Sequence, residues 1–177
     1  MFSLNDKVVY PGHGVASICR VFERHVGQQI IVFYELKFQS KDMTIMVPKD
    51  KLQEVGVRHL SSHASINDML ENVGMPARHL KTTEPNTNNW NKRNKDYQTK
   101  LRTGSLESIL EIYKDLKCVS FYKQLSFGEK SLLLKTEALL VEEISAVQNI
   151  DAQKAMEQLR SSVFIVPTTM NAAVKTA

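Results

Sequence analysis

Cysteine is scarce in this 177-residue chain: Cys19 and Cys118 stand far apart and form no C-x-x-C pair. That scarcity reads as a reduced, cytosolic protein. No basic-then-apolar signal segment precedes the polar stretch that begins at Asn5. Long hydrophobic runs are missing as well. The run from Leu132 to Val141 is interrupted by Lys135, Thr136 and Glu137, well short of the roughly 20 apolar residues a bilayer span requires. Also lacking are a Gly-rich phosphate loop ending in Lys and Ser/Thr, a G-x-S-x-G nucleophile turn and a dinucleotide fingerprint after a strand. These absences remove the commonest enzyme classes, and neither catalysis nor a cofactor is expected. Tryptophan occurs once, as Trp90.

The length suits one medium domain or two small ones. The formal net charge is +4, a mild excess whose distribution says more than its size. Residues 1–60 carry eight basic and six acidic side chains, 61–104 carry seven and four, and 105–177 carry eight and nine. The densest basic stretch directly follows Trp90, with Lys92, Arg93, Lys95, Lys100 and Arg102.

From Lys7 to Gly56 the chain is dense in Val, Ile, Phe and Tyr, in short runs punctuated by turn formers, the texture of an antiparallel β module. Five strands are predicted: Lys7 to Tyr10, Val15 to His25, Gln28 to Phe38, Met43 to Val47, and a short one near Lys51 to Val55. Pro11-Gly12 suits the centre of a type II turn, since proline presets φ and glycine accepts the positive φ that follows. Five strands in about fifty residues close only as a small, strongly bent sheet or barrel of the SH3 or Tudor kind.

After Gly56 the apolar spacing becomes helical. Ser65 and Asp68 read as a capping box for a short helix that Gly74 and Pro76 stop, and a polar loop runs from Lys81 to Asn89. A helix from about Asn89 to Arg102 places Trp90 in its first turn. A buried helix is predicted over Ser105 to Lys123, then a long one opened by a Ser126/Glu129 capping box, then one capped by Asp151 and ending near Ser161. The expected organisation is α+β: a five-stranded module over 1–60, a helical module over 61–162 and a loose tail over 163–177.

Candidate chemistry is sparse. His59 and His63, four apart, share a helix face if that segment is helical, yet neither a following Glu nor a third ligand is near, so structural or solvated histidines are expected. His13 reads as a turn residue, Cys19 as a small buried thiol, and Glu142 with Glu143 as a solvated helix face. Trp90 admits two readings, a core or interface anchor, or an exposed apolar wedge whose basic neighbours hold phosphates.

Several stretches together resemble the CarD/CdnL family of bacterial transcription regulators, from Phe2 to about Val147. They are Asp6-Lys7-Val8-Val9-Tyr10-Pro11-Gly12-His13-Gly14, Met43-Thr44-Ile45-Met46-Val47-Pro48, Val55-Gly56-Val57-Arg58, Asn89-Trp90-Asn91-Lys92-Arg93 and Leu125-Ser126-Phe127-Gly128-Glu129-Lys130. The resemblance implies a Tudor-like N-terminal module that binds the β subunit of bacterial RNA polymerase and a helical module that binds promoter DNA. It implies that Trp90 wedges into the minor groove at the upstream edge of the transcription bubble, beside the −10 element, stabilising the open complex. The matching DNA-contact positions are Lys92, Lys95 and Lys130. Arg93 also matches, with a helix-to-helix salt bridge as its alternative role. The polymerase face falls on Met46 and Pro48, with Arg24 as a further candidate; some members carry an arginine where this chain has Met46. Alternation alone leaves Met46 facing either the partner or the β core. The expected working unit is a cytoplasmic monomer, associated with the nucleoid through polymerase.

Overall fold

The computed structural model describes residues 2–72 and 90–163. Its first part is a five-stranded antiparallel sheet in the order β4-β3-β2-β1-β5. The strands are β1 Lys7–Tyr10, β2 Gly14–Val26, β3 Gln29–Phe38, β4 Thr44–Pro48 and β5 Arg58–His59. Between β1 and β2 the His13 amide donates to the Tyr10 carbonyl at 3.0 Å, and Gly12 takes φ +71°, as the Pro-Gly turn requires. Val8, Ala16, Ile18, Tyr34, Leu36, Phe38, Val47, Leu52 and Val57 form the core of this module. The sheet wraps this core as a strongly bent, Tudor-like sheet, but no ladder joins β4 to β5 and the expected barrel stays open.

Two expectations fail here for local reasons. The segment predicted as the fifth strand forms a 3-10 turn, Lys49–Lys51, and a tight loop. There the amides of Val55, Gly56 and Val57 donate to the carbonyls of Lys51, Gln53 and Leu52, leaving little for a ladder. The short fifth strand is Arg58–His59 instead, paired with Val9 and Val8. Cys19 is exposed rather than buried. The register jumps from Ile18↔Leu36 to Arg20↔Glu35, so Cys19 is the extra residue of a β-bulge that turns it outward.

Five helices follow: α1 His63–Asn72, α2 Trp90–Thr103, α3 Leu106–Tyr122, α4 Phe127–Gln148 and α5 Ala152–Ser162. Ser105, the reciprocal Ser126/Glu129 capping box and Asp151 begin α3, α4 and α5. The cap of α1 lies three residues earlier than predicted: the Ser62 hydroxyl, not that of Ser65, accepts the amide of N3, here Ser65, at 3.1 Å. The predicted stop at Gly74 and Pro76, the Lys81 to Asn89 loop and all of the tail beyond Val163 lie outside the described residues. Tyr97, Leu101, Ile109, Ile112, Tyr113, Leu116, Leu140, Ile144 and Leu159 are among the residues of a second core. Among the described residues no helix is long and apolar enough to cross a membrane.

The two cores meet where the β1–β2 turn lies against α4 and the α2–α3 link. A Cβ added at Gly104 would come within 2.8 Å of Pro11 Cγ, and one at Gly56 within 3.0 Å, so glycine backbones flank that proline ring. Glu142 and Glu143, expected on a solvated face, are drawn into this junction. Glu142 accepts the Val15 amide at 3.1 Å and the Ser40 hydroxyl at 2.6 Å. Glu143 is 2% exposed. Helical periodicity places both toward the β module, which a single-helix reading does not include.

Gly104 combines φ +66° with this close approach to Pro11. Gly104→Ala is expected to cost about 1–3 kcal/mol through backbone strain and overpacking. The check is urea denaturation, with the midpoint lowered and the slope unchanged.

Candidate nucleic-acid and protein interfaces

Trp90 opens α2. Its indole is only partly buried and packs at the edge of the helical core. The surface it rests on is the first turn of α4, where a Cβ at Gly128 would sit 3.2 Å from the indole Cζ2. A side chain there would make the ring give by a few tenths of an ångström, so glycine lets the indole lie this close to the helix.

An arginine–glutamate pair stands near the ring. The Arg93 guanidinium carbon lies 6.0 Å from the indole centroid, and its Nη2 donates to Glu129 Oε1 at 3.1 Å. Glu129 is 1% exposed and also accepts Lys123 Nζ at 3.2 Å, the Ser126 amide at 2.9 Å and the Ser126 hydroxyl at 2.9 Å. Burial pushes its carboxyl up, but the Ser126 hydrogen bonds and the Lys123 ammonium outweigh this and hold it below the usual carboxylate range. Arg93 therefore forms the helix-to-helix salt bridge that was its alternative role. Beside it, Tyr97 is pushed up to about 12, first by burial and then by Asp115.

The remaining predicted residues divide between two places. Lys130 is exposed on the first turn of α4, next in sequence to Glu129. Lys92 and Lys95 are exposed too. At about 100° per residue, however, they project roughly 200° and 140° around α2 from Trp90, on the side away from the Trp90, Tyr97 and Leu101 stripe. Sequence reasoning missed Phe127, which is 89% exposed at the start of α4 beside Gly128. Its signal was legible: it falls off the inward stripe that Leu132, Leu139 and Leu140 define.

On the β module, cross-strand pairing decides what alternation left open. Opposed residues in an antiparallel sheet share a face. Tyr34 pairs with Val47 and points to the core. The neighbouring rows Arg20/Glu35/Met46, Phe22/Phe33/Pro48 and Arg24/Ile31 therefore share the opposite, outer face. Met46 is 53% exposed there, and Arg24 is exposed as well. The rings of Phe22 and Phe33 stack with centroids 6.0 Å apart, and the Arg20 guanidinium carbon lies 5.0 Å from the Phe22 centroid. The structure thus gathers Met46, Pro48 and Arg24 on one surface with an aromatic pair that sequence reasoning had passed over. β4 pairs only with β3, so its other side is a sheet edge among the described residues.

His59 and His63 do not form a site. His59 lies in β5, with its ring 4.5 Å from that of Phe2, while His63 begins α1, so they do not share a helix face. Among the described residues no group of three or more His, Cys, Asp or Glu is placed to hold a metal ion. His13 is a turn residue with its ring against Tyr10 and Phe38; burial, then Lys41 and Lys135, lower its pKa.

Among the described residues, then, a bent five-stranded sheet is joined to a module of five helices. Comparison with known proteins gives the family. Residues 2–61 match the CarD-like/TRCF RID domain and residues 79–160 match the CarD C-terminal domain. The chain belongs to the CarD-like family of transcription regulators. It is 24% identical over 152 residues to YdeB of Bacillus subtilis (strain 168), named as a candidate transcription factor, covering 85% of this chain and 94% of that protein. It also matches the solution NMR structure of the 72-residue N-terminal domain of Myxococcus xanthus CarD, at 29% identity and TM-score 0.30, covering 33% of this chain and 79% of that one.

Glu129 and Glu137 both have pKa values lowered in the fold, Glu137 chiefly by its hydrogen bond from Arg160. The folded state then binds fewer protons than the unfolded one, so their stabilisation is present above the ordinary carboxylate pKa and is lost as pH falls through and below it. The melting temperature is expected to hold from neutral pH to about 5 and then to drop as pH is lowered to about 3, across the carboxylate range. Glu129→Gln should remove part of that slope and cost about 3–5 kcal/mol at neutral pH by leaving cations unpaired. Thermal melts at stepped pH check both.

Proposed function

We propose that this regulator docks on the RNA polymerase β subunit through the outer face and edge of β2–β3–β4, and stabilises the open promoter complex through Trp90. The carrying observation is the indole at the head of α2, seated against Gly128 and within reach of Arg93 yet partly exposed, in the segment matching the CarD C-terminal domain, with exposed Phe127 and Lys130 in the same first turn of α4 as Gly128. The RID match implies contact with RNA polymerase. The β subunit as its target and the −10-proximal bubble edge as the DNA site come from the family resemblance.

The physical logic is differential binding. Inserting an aromatic ring between base steps costs unstacking energy in intact duplex, and less where the strands are already parting. Arg93 and the glycine seat hold the partly exposed ring in one place at the edge of the core, so little ordering cost remains when it meets DNA. If the preference for melted promoter matches the roughly 1–3 kcal/mol of base–aromatic stacking, opening shifts by about five- to 150-fold at saturation. Phe127, in the same first turn of α4 as the Gly128 seat, offers further apolar surface.

Lys92, Lys95 and Lys130 supply phosphate contacts. Arg93, committed to Glu129, acts chiefly as the brace. Three lysines give a salt dependence of log K near −2.7 per log unit of salt, an estimate of about 0.9 per neutralised phosphate. That is too few contacts for tight independent binding, so the polymerase contact provides the local concentration. Met46, a thioether in place of an arginine, favours apolar packing and strand addition at the β4 edge over an ion pair. The regulator works as a cytoplasmic monomer bound to polymerase on the nucleoid, with residues 1–60 and 61–162 as its two working modules.

Promoter-opening kinetics test this reading. Trp90→Ala is expected to retain polymerase binding and lose most of the open-complex stabilisation, about fivefold or more if stacking contributes at least 1 kcal/mol. Met46→Ala is expected to weaken recruitment itself. Wild-type opening by both variants would refute the assignment. In a separate titration, each Lys→Ala at 92, 95 or 130 should reduce the salt slope for forked DNA by about one.

A further inference from the structure

Glu143 lies on α4, in the helical module, but its hydrogen bonds run to the segment leaving the β sheet. Its Oε1 accepts Arg58 Nη1 at 2.7 Å, the Ser61 amide at 3.0 Å and the Ser61 hydroxyl at 2.7 Å, and its Oε2 accepts Arg58 Nη2 at 2.8 Å. The same guanidinium donates from Nε to the Gly104 carbonyl at 2.9 Å, on the α2–α3 link. One planar fork thus ties β5, α4 and the end of the helix that carries Trp90.

We propose that the Arg58–Glu143 clamp is a positioning device: it fixes the span and angle between the outer face of the β sheet and the indole of Trp90. A bidentate guanidinium–carboxylate pair sets both a distance and a plane, and the carboxylate of Glu143 is nearly inaccessible to water. The rest of the junction supplies the packing of glycines around Pro11 and two single hydrogen bonds, from the Val15 amide and the Ser40 hydroxyl to Glu142, neither of which sets a plane as the fork does. If both modules are engaged at once, as the proposed function holds, the second contact gains from a local concentration that peaks when the span matches the sites and falls when orientation spreads. The clamp converts two separate faces into one ruler.

The test uses the full chain. A spin label on exposed Cys19 in β2 and a second on Lys154→Cys in α5, with buried Cys118 changed to alanine, report the separation of the modules by pulsed electron paramagnetic resonance. The otherwise unaltered chain should give one narrow distance distribution. Glu143→Gln and Arg58→Lys should broaden or displace it while circular dichroism shows both modules folded. Ser61→Ala, which keeps the ion pair, should broaden it less and guards against a variant that fails to fold. With polymerase, Glu143→Gln should bind with unchanged affinity but lose about tenfold in promoter opening, the scale expected when effective concentration collapses. An unchanged distance distribution in both Glu143→Gln and Arg58→Lys overturns the clamp. A broadened distribution with undiminished opening overturns its role as a ruler. Should Trp90→Ala also leave opening intact, the proposed function is what fails, and the distance measurement still decides the clamp.

Discussion

Three carboxylates buried along one helix hold this molecule together. Glu129, Glu137 and Glu143 of α4 are all nearly inaccessible, and each is satisfied by a different neighbour. Glu129 takes Arg93 of α2 and Lys123 from the α3–α4 link; Glu137 takes Arg160 of α5 and the Tyr113 hydroxyl of α3; Glu143 takes Arg58 of β5 and Ser61. A buried carboxylate without its cation is strongly unfavourable, so each pair ties its element in one arrangement. Such pairs contribute little net stability over an apolar core, and their effect is directional. They convert a helix apolar on several sides into one with a defined partner on each side.

The two candidate contact surfaces depend on that arrangement. Trp90 stays available because Arg93 is held by Glu129 and because Gly128 leaves room beneath the ring. The β-sheet surface is available because opposed residues share a face, setting Met46 and Pro48 beside the stacked Phe22 and Phe33. Both surfaces set an aromatic ring within cation–π reach of an arginine, Arg93 over Trp90 and Arg20 over Phe22.

Much of the fold was legible because its signals are local. Pro11-Gly12 calls for a turn, Ser126 with Glu129 for a reciprocal cap and Asp151 for a helix start, and each depends on residues at most three apart. What escaped was set by partners far along the chain. Cys19 turned outward through a bulge that only pairing with β3 reveals. Leu52 and Val57, apolar like strand residues, instead pin a tight loop to the core. Glu142 and Glu143 look solvated on one helix and are not, because Val15, Ser40, Arg58 and Ser61 meet them from the β module.

The amino-acid order by itself determined the five-strand-then-helix plan, the caps, the basic stretch after the lone tryptophan and the family resemblance. All of these are carried by spacing and residue type. Tertiary structure alone decided which way Met46 faces, that Arg93 is committed to Glu129, that Phe127 is bare and that Arg58 spans the junction of the two modules. The reason is physical. Periodicity fixes direction around a single element, whereas exposure and ion pairing are properties of the space between elements, and that space exists only after they have packed.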